Sequence, residues 1–316
     1  MKKLKILIAI VSLVSAGQLH AQQEPMYGQY IFNNSVINPA QAGAGEWNQG
    51  GVLSRFQFVG IDGSPQTNSA YVNLRLPRKL GFSASIIQDR LGIEENLQFH
   101  ADLAYHGRLS ERWTLSAGLR GLVSHYSRNF SNLQNLEPDD PFFRSNVNSG
   151  VMANVGAGLL LSSDRSFLGV SMPRVFKDEM QVYDPGNYGF LKRANRHLFA
   201  YGGTNIQLSE DFVFVPSTLL RYSDDAPLQL DMNAVFSYRE VFSFGPVLRS
   251  NLIESWVDAV GFLVGLRLSE RWYFGYMYEY PANDMNLVTR QTHEFSLRFL
   301  WGGQKDERIR SPRYFL

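Results

Sequence analysis

The chain has 316 residues, with 30 lysines and arginines against 29 aspartates and glutamates, and no cysteine. Near-neutral charge lacks the electrostatic footprint of a nucleic-acid binder. The missing thiols remove disulfides, thiolate metal sites, a cysteine nucleophile and a cysteine-linked lipid anchor.

The first element is a secretory signal peptide over 1–21. Lys2, Lys3 and Lys5 precede an apolar stretch from Leu4 to Val14, and Leu19-His20-Ala21 forms a cleavage site ending on a small residue. The apolar run is shorter than the roughly 20 residues of a spanning helix, and no later segment qualifies as one. Residues 22–49 follow as a leader rich in Gln, Asn and small residues, punctuated by Tyr27, Tyr30, Phe32 and Trp47. Its composition suits a disordered segment. Its spaced aromatics argue instead for packing, either inside a lumen or against a partner.

From residue 50 the hydrophobic period is two. Leu97, Phe99, Ala101, Leu103, Tyr105, Gly107 and Leu109 alternate with Gln98, His100, Asp102, Ala104, His106 and Arg108. Successive side chains of a strand point to opposite faces, so this is a strand with one apolar and one polar face. Similar runs predict about fourteen strands. Their expected bounds are 50–58, 67–76, 80–88, 97–109, 113–126, 150–161, 166–173, 196–208, 212–222, 227–238, 241–250, 255–268, 272–280 and 290–301. Short polar connections alternate with connections that are often longer, such as Gly60–Gln66, Asp89–Asn96, Ser127–Ser149 and Pro173–Asn195. RLSERW occurs at both Arg108 and Arg267, with a looser QLSEDF at Gln207, each time at a short connection.

These features predict an all-β, transmembrane, up-and-down antiparallel barrel of about fourteen strands over 50–301, with both termini in the periplasm and a basic tail over 302–316. A secreted β-sandwich would also alternate its faces. However, the plain meander, the aromatics near strand ends and the charges on the polar faces (His100, Asp102, Arg108, Arg120, Asp231, Arg267, Glu279, Glu294, Arg298) favour the barrel. Open sheet edges, which a closed meander lacks, are forbidden in lipid.

Catalytic patterns are weak. His100, Asp102, His106 and Arg108 share one face of one strand, where a metal or acid–base site is conceivable, but a polar lumen accounts for them. Ser124-His125 lacks a nucleophile elbow. The acidic run Glu137-Pro138-Asp139-Asp140-Pro141 lacks EF-hand spacing. Gly156 and Gly158 have no following helix to make a phosphate loop. No cofactor or metal is expected, and the chain reads as a non-enzyme.

The leader and tail carry a resemblance. Gln22, Pro25, Gln29, Tyr30, Phe32, Asn33, Asn38, Pro39, Ala40, Ala42 and Gly43 match the QxxPxxxQYxFNxxxxNPAxAG pattern of the PorP/SprF family of type IX secretion system membrane proteins. The terminal SPRYF resembles that family too. The resemblance implies an outer-membrane component serving secretion, surface attachment of adhesins and gliding motility. Its partners would be other type IX components or a secreted adhesin, together with outer-membrane lipid. The expected contact residues are Gln29, Tyr30, Phe32, Asn33, Asn38 and Pro39 in the leader, with Arg313, Tyr314 and Phe315 in the tail. The alternative, suggested by the charged inner face, is a porin or channel for small hydrophilic solutes.

Overall fold

The structure, a computed structural model, describes residues 27–32, 34–129, 147–182, 190–194, 196–223, 226–252, 255–287, 289 and 291–302. Its strands are β1 (Asn48–Phe56), β2 (Gln66–Leu76), β3 (Leu80–Leu91), β4 (Glu94–Arg108), β5 (Thr114–Arg128), β6 (Val147–Ser162), β7 (Ser166–Met172), β8 (Asp178–Val182) and β9 (Phe190–Ala194). They continue with β10 (His197–Thr204), β11 (Ile206–Gln207), β12 (Phe212–Ser223), β13 (Ala226–Tyr238), β14 (Phe242–Asn251), β15 (Ser255–Arg267), β16 (Trp272–Pro281) and β17 (Thr292–Trp301).

All but β8 and β9 form one antiparallel sheet, closed by β1 on β17 from Asn48↔Trp301 to Phe56↔His293. β10 and β11 occupy one wall position, interrupted at Asn205, and both pair with β12. The wall therefore has the fourteen positions expected from the alternation. The β8–β9 hairpin is a separate two-stranded sheet. It lies where the sequence suggested only a loop.

The barrel is apolar outside and polar inside. In β4, Gln98, His100, Asp102 and His106 are buried, whereas Phe99 is 50% and Leu103 52% exposed. β5 repeats this with Ser116, Arg120 and Ser124 inside and Leu115, Leu119 and Val123 outside. A soluble sandwich would bury the apolar set. A lipid-facing wall exposes it.

One end of the barrel carries the short turns. Ser110 Oγ accepts the N–H groups of Arg112 and Trp113 at 3.3 and 3.2 Å, and Ser269 Oγ repeats this with Arg271 and Trp272. Ser209 Oγ accepts from Phe212 N at 3.2 Å. The repeated LSE words are thus serine-closed turns, each leading into an aromatic that opens the next strand. At the other end, the expected loop over 89–96 is corrected. β3 and β4 pair as far as Leu91↔Glu94, across a tight turn at Gly92, whose φ of 58° suits glycine. Pairing of Arg90 with Glu95 (3.5 Å) shows how this charged stretch serves a hairpin.

Candidate functional site

The lumen is occupied by the chain's own leader, residues 27–44. Three short 3-10 turns, Tyr30–Phe32, Asn34–Val36 and Pro39–Gln41, fold it compactly. Asn38 caps the third, its Oδ1 accepting from Ala40 N at 2.9 Å, and Pro39 supplies the fixed φ of a first turn position. Gln29, Asn38, Ala40 and Ala42 have no exposure at all.

The leader meets β16, β17 and β1 through Glu294. The carboxylate accepts the N–H groups of Gly28 and Gln29 at 2.9 and 2.8 Å, and Arg55 Nη1 donates to it at 3.0 Å. Gln29 also donates from Nε2 to the Glu294 carbonyl (3.1 Å) and accepts from Ser296 Oγ (2.7 Å). A side chain at Gly275 would overlap the Gln29 amide. Phe32 packs on Tyr273 (ring centroids 5.3 Å apart), and the Arg298 guanidinium lies 4.7 Å from the centre of the Tyr273 ring. Tyr30 enters an apolar cluster with Leu219, Val235, Val247 and Leu263.

The leader then crosses to β4–β10. Arg120 forks onto Asp102 (2.7 and 2.8 Å) and donates to the carbonyls of Val36 and Ser35 (2.7 and 2.5 Å). Ser171 Oγ donates to Ile37 O at 2.7 Å. Asn38 Nδ2 donates to Leu159 O and Tyr201 Oη, both at 3.0 Å, and Gln41 Nε2 reaches the same Tyr201 oxygen. His106 donates from Nε2 to Ala42 O (2.8 Å), which leaves Nδ1 to accept from Ser116 Oγ (2.7 Å). Asn73 bonds to Gly43 N and Gln41 O.

Three wall glycines make room for this path. A Cβ on Gly81 would overlap Ala42 O, one on Gly118 the Pro39–Ala40 peptide, and one on Gly158 the Asn38 side chain. Gly118 and Gly158 stand opposite each other in the β5–β6 register. Close backbone approach is the physical use of glycine here.

On the opposite wall, charges alternate. Glu294 pairs with Arg55 (3.0 Å), Arg55 with Glu279 (2.9 Å), Glu279 with Arg249 (3.0 Å), Arg249 with Asp231 (3.2 Å) and Asp231 with Arg221 (2.7 Å). All six side chains are buried. Each interior member of the ladder bridges two opposite charges, as burial of ions in low dielectric requires.

Of the sequence-predicted contact residues, Gln29, Tyr30, Phe32, Asn38 and Pro39 come together in the lumen. Asn33, Arg313, Tyr314 and Phe315 lie outside the described residues, as does the acidic run 137–141. His100, Asp102 and His106 do not converge: Asp102 is taken by Arg120, and His100 meets Gln98 Oε1 at 3.1 Å. No metal-holding group of His, Asp and Glu occurs among the described residues. Ser124 is buried inside and His125 exposed outside, so they cannot act as a pair. Sequence reasoning missed Arg55, Arg221, Arg249 and the glycine track.

A closed, lipid-facing antiparallel wall around a self-supplied plug defines an outer-membrane β-barrel protein. The profile of the family described as Type IX secretion system membrane protein PorP/SprF matches residues 19–299, and the chain belongs to that family. No curated protein matches the sequence. Among solved structures, the toluene transporter TbuX of Ralstonia pickettii is similar with a TM-score of 0.50 and 10% identity, over 88% of this chain and 94% of that one. The toluene transporter TodX of P. putida gives 0.47 and 9%, over 89% and 95%. At such identities the likeness is one of fold. Family and fold resemble secretion components and channels rather than enzymes.

Proposed function

We propose that this protein is a non-enzymatic type IX secretion component that acts by protein–protein contact, supporting secretion and the surface anchoring of adhesins, with gliding motility depending on both. In this reading the signal peptide is removed after Ala21, the short-turn end faces the periplasm, and the tail with Arg313, Tyr314 and Phe315 is displayed there to other secretion components. The observation that carries the reading is the occupied lumen. Many of the wall's polar groups are engaged by the leader or by one another, which suits a scaffold better than an open conduit. Deletion of the gene is expected to abolish surface display of the partner adhesin. Unchanged secretion, adhesion and gliding would overturn the proposal.

The second reading is a channel for small hydrophilic solutes, favoured by the charged inner wall. The similarity to solved transporters adds only the shared barrel. In planar bilayers the full chain is expected to be silent, and steady open-channel conductance would favour the channel instead.

A further inference from the structure

Two ladders of the wall break at one height, and both breaks fall at prolines. β10 and β11 keep a single register along β12, through Gly203↔Ser217 and Ile206↔Phe214, yet Thr204 and Asn205 do not pair with it. Thr204 stands opposite Pro216. β13 and β14 likewise pair at Asn233↔Val247 and again at Phe236↔Phe244, but not between, where Ala234 stands opposite Pro246. Proline has no N–H, so the ladder donor that Thr204 O and Ala234 O would take from the next strand is missing. Between the two gaps, β12 and β13 pair without a break from Phe212↔Tyr238 to Arg221↔Gln229, and Pro216 is the partner of Ala234. Pro216, Ala234 and Pro246 therefore form one row across three strands, and the β12–β13 pair has a gap on either side. Interior strands ordinarily exclude proline for this reason. Across the lumen, β5 and β6 pair continuously from Thr114↔Ser162 to His125↔Val151.

The row faces lipid, where no water replaces a missing ladder bond. Its side chains alternate with the buried Val215, Ser217, Val235 and Val247. Outside, Phe214, Phe236 and Phe244 stack across the same strands (ring centroids 4.8 and 5.9 Å apart), but on the short-turn side of the row. Inside, the wall is thin. Gly245 has no side chain, and a Cβ there would lie 2.1 Å from Ala234 O. The leader fills this inner face: Tyr30, 1% exposed, joins Val215, Val235 and Val247 in one apolar cluster. Its neighbours are fastened elsewhere, Gln29 to Glu294 and Ser296 and Phe32 against Tyr273, on strands that pair without such gaps. The leader thus spans from intact wall to the weakened row.

We propose that the leader is an inner brace for this part of the wall. With Tyr30 seated, β12 and β13 are held against β10 and β14 despite the two missing bonds. When the leader withdraws, the wall loosens first along the proline row, so movement in the lumen is transmitted to the lipid-facing surface. The proposal is independent of the secretion reading.

The test is amide hydrogen exchange on the full chain in lipid vesicles, with folding checked by heat-modifiable mobility. Tyr30→Ala is expected to speed exchange in β12–β14 by roughly ten- to a hundredfold, the span opened by losing one buried large side chain, and to leave β4–β6 unchanged. Adding Pro216→Ala and Pro246→Ala to that variant restores the two donors and should return exchange towards the native rate. A uniform rise around the barrel, no rise, or a rise that the proline replacements do not reverse overturns the proposal. Where Tyr30→Ala yields no folded barrel, the two proline replacements in the native background decide. Slower exchange confined to β12–β14 is then expected, and unchanged exchange overturns the brace.

Discussion

The two halves of the inner wall hold their contents by different physics. From β2 to β10 the leader backbone lies against the wall, fitted by absent side chains at Gly81, Gly118 and Gly158 and bonded by neutral groups of Asn73, His106, Ser171 and Tyr201 together with the Asp102-paired Arg120. From β12 round to β1 the wall carries the six-charge ladder, whose end member Glu294 binds the leader backbone, and Arg298 beside it donates to the Phe32 carbonyl at 3.4 Å. One half specifies position by shape, because a backbone allowed that close leaves no room for a Cβ. The other supplies a self-paired ionic frame whose members depend chiefly on one another.

The sharpest way to break this contrast is Arg55→Met. Arg55 is shared by Glu279 and Glu294, so its loss leaves two buried carboxylates short of a cation. Removing one partner of a buried ion pair costs about 3–5 kcal/mol. Urea unfolding of the barrel in lipid vesicles, followed by tryptophan fluorescence, should show a loss of that size. A loss below about 1 kcal/mol, the range of exposed pairs, would mean that water screens the ladder.

Next in size is Gly118→Val, with Gly121→Val as its control. The first collides with the Pro39–Ala40 peptide, while the second faces outward with Ala101 O, 3.9 Å away, as its nearest neighbour. Overpacking costs about 1–3 kcal/mol, so Gly118→Val should destabilise by that amount and make the leader cleavable by added protease. Equal behaviour of the two variants would refute docking by shape.

Smaller again is Asn38→Ala, which leaves the Ala40 N–H without its Asn38 acceptor and takes a side-chain donor from the Leu159 carbonyl. Each buried group left unsatisfied costs about 1–3 kcal/mol. Tyr201→Phe removes the shared acceptor of Asn38 and Gln41 and should cost less, about 1 kcal/mol. Unfolding midpoints in that order support the latch, and the reverse order would place the main hold elsewhere.

The wall was legible in the sequence because a strand facing lipid on one side has no freedom in its alternation. The packing of the leader was half legible. Tyr30 and Phe32 announced burial, but a leader aromatic does not say whose surface covers it. The glycine track was opaque, since Gly118 in a strand looks the same with or without a chain lying over it. The ladder was hidden for another reason. Arg55 shares its inner face with Leu53, which blurs the alternation in β1, and its partner Glu294 is 239 residues away.

The smallest expected effect lies outside both halves, at the short turns, where Arg239 forks onto Asp211 at 2.8 and 3.2 Å in open solvent. Hydrogen bonding from Arg239 holds the Asp211 carboxyl below its ordinary value, and burial contributes little opposition. A carboxylate with a depressed folded pKa adds stability that is complete above its unfolded pKa, about 3.9, and is lost as pH falls through the folded value. The difference between the native chain and Asp211→Asn should therefore be small and constant from pH 7 down to about 5, then vanish in the acid range below about 4. High salt should shrink it throughout, because exposed charges are screened over about 10 Å at 0.1 M. A difference that persists at pH 2 or ignores salt would show that the turn is held by its serine-closed backbone geometry and owes nothing to this pair.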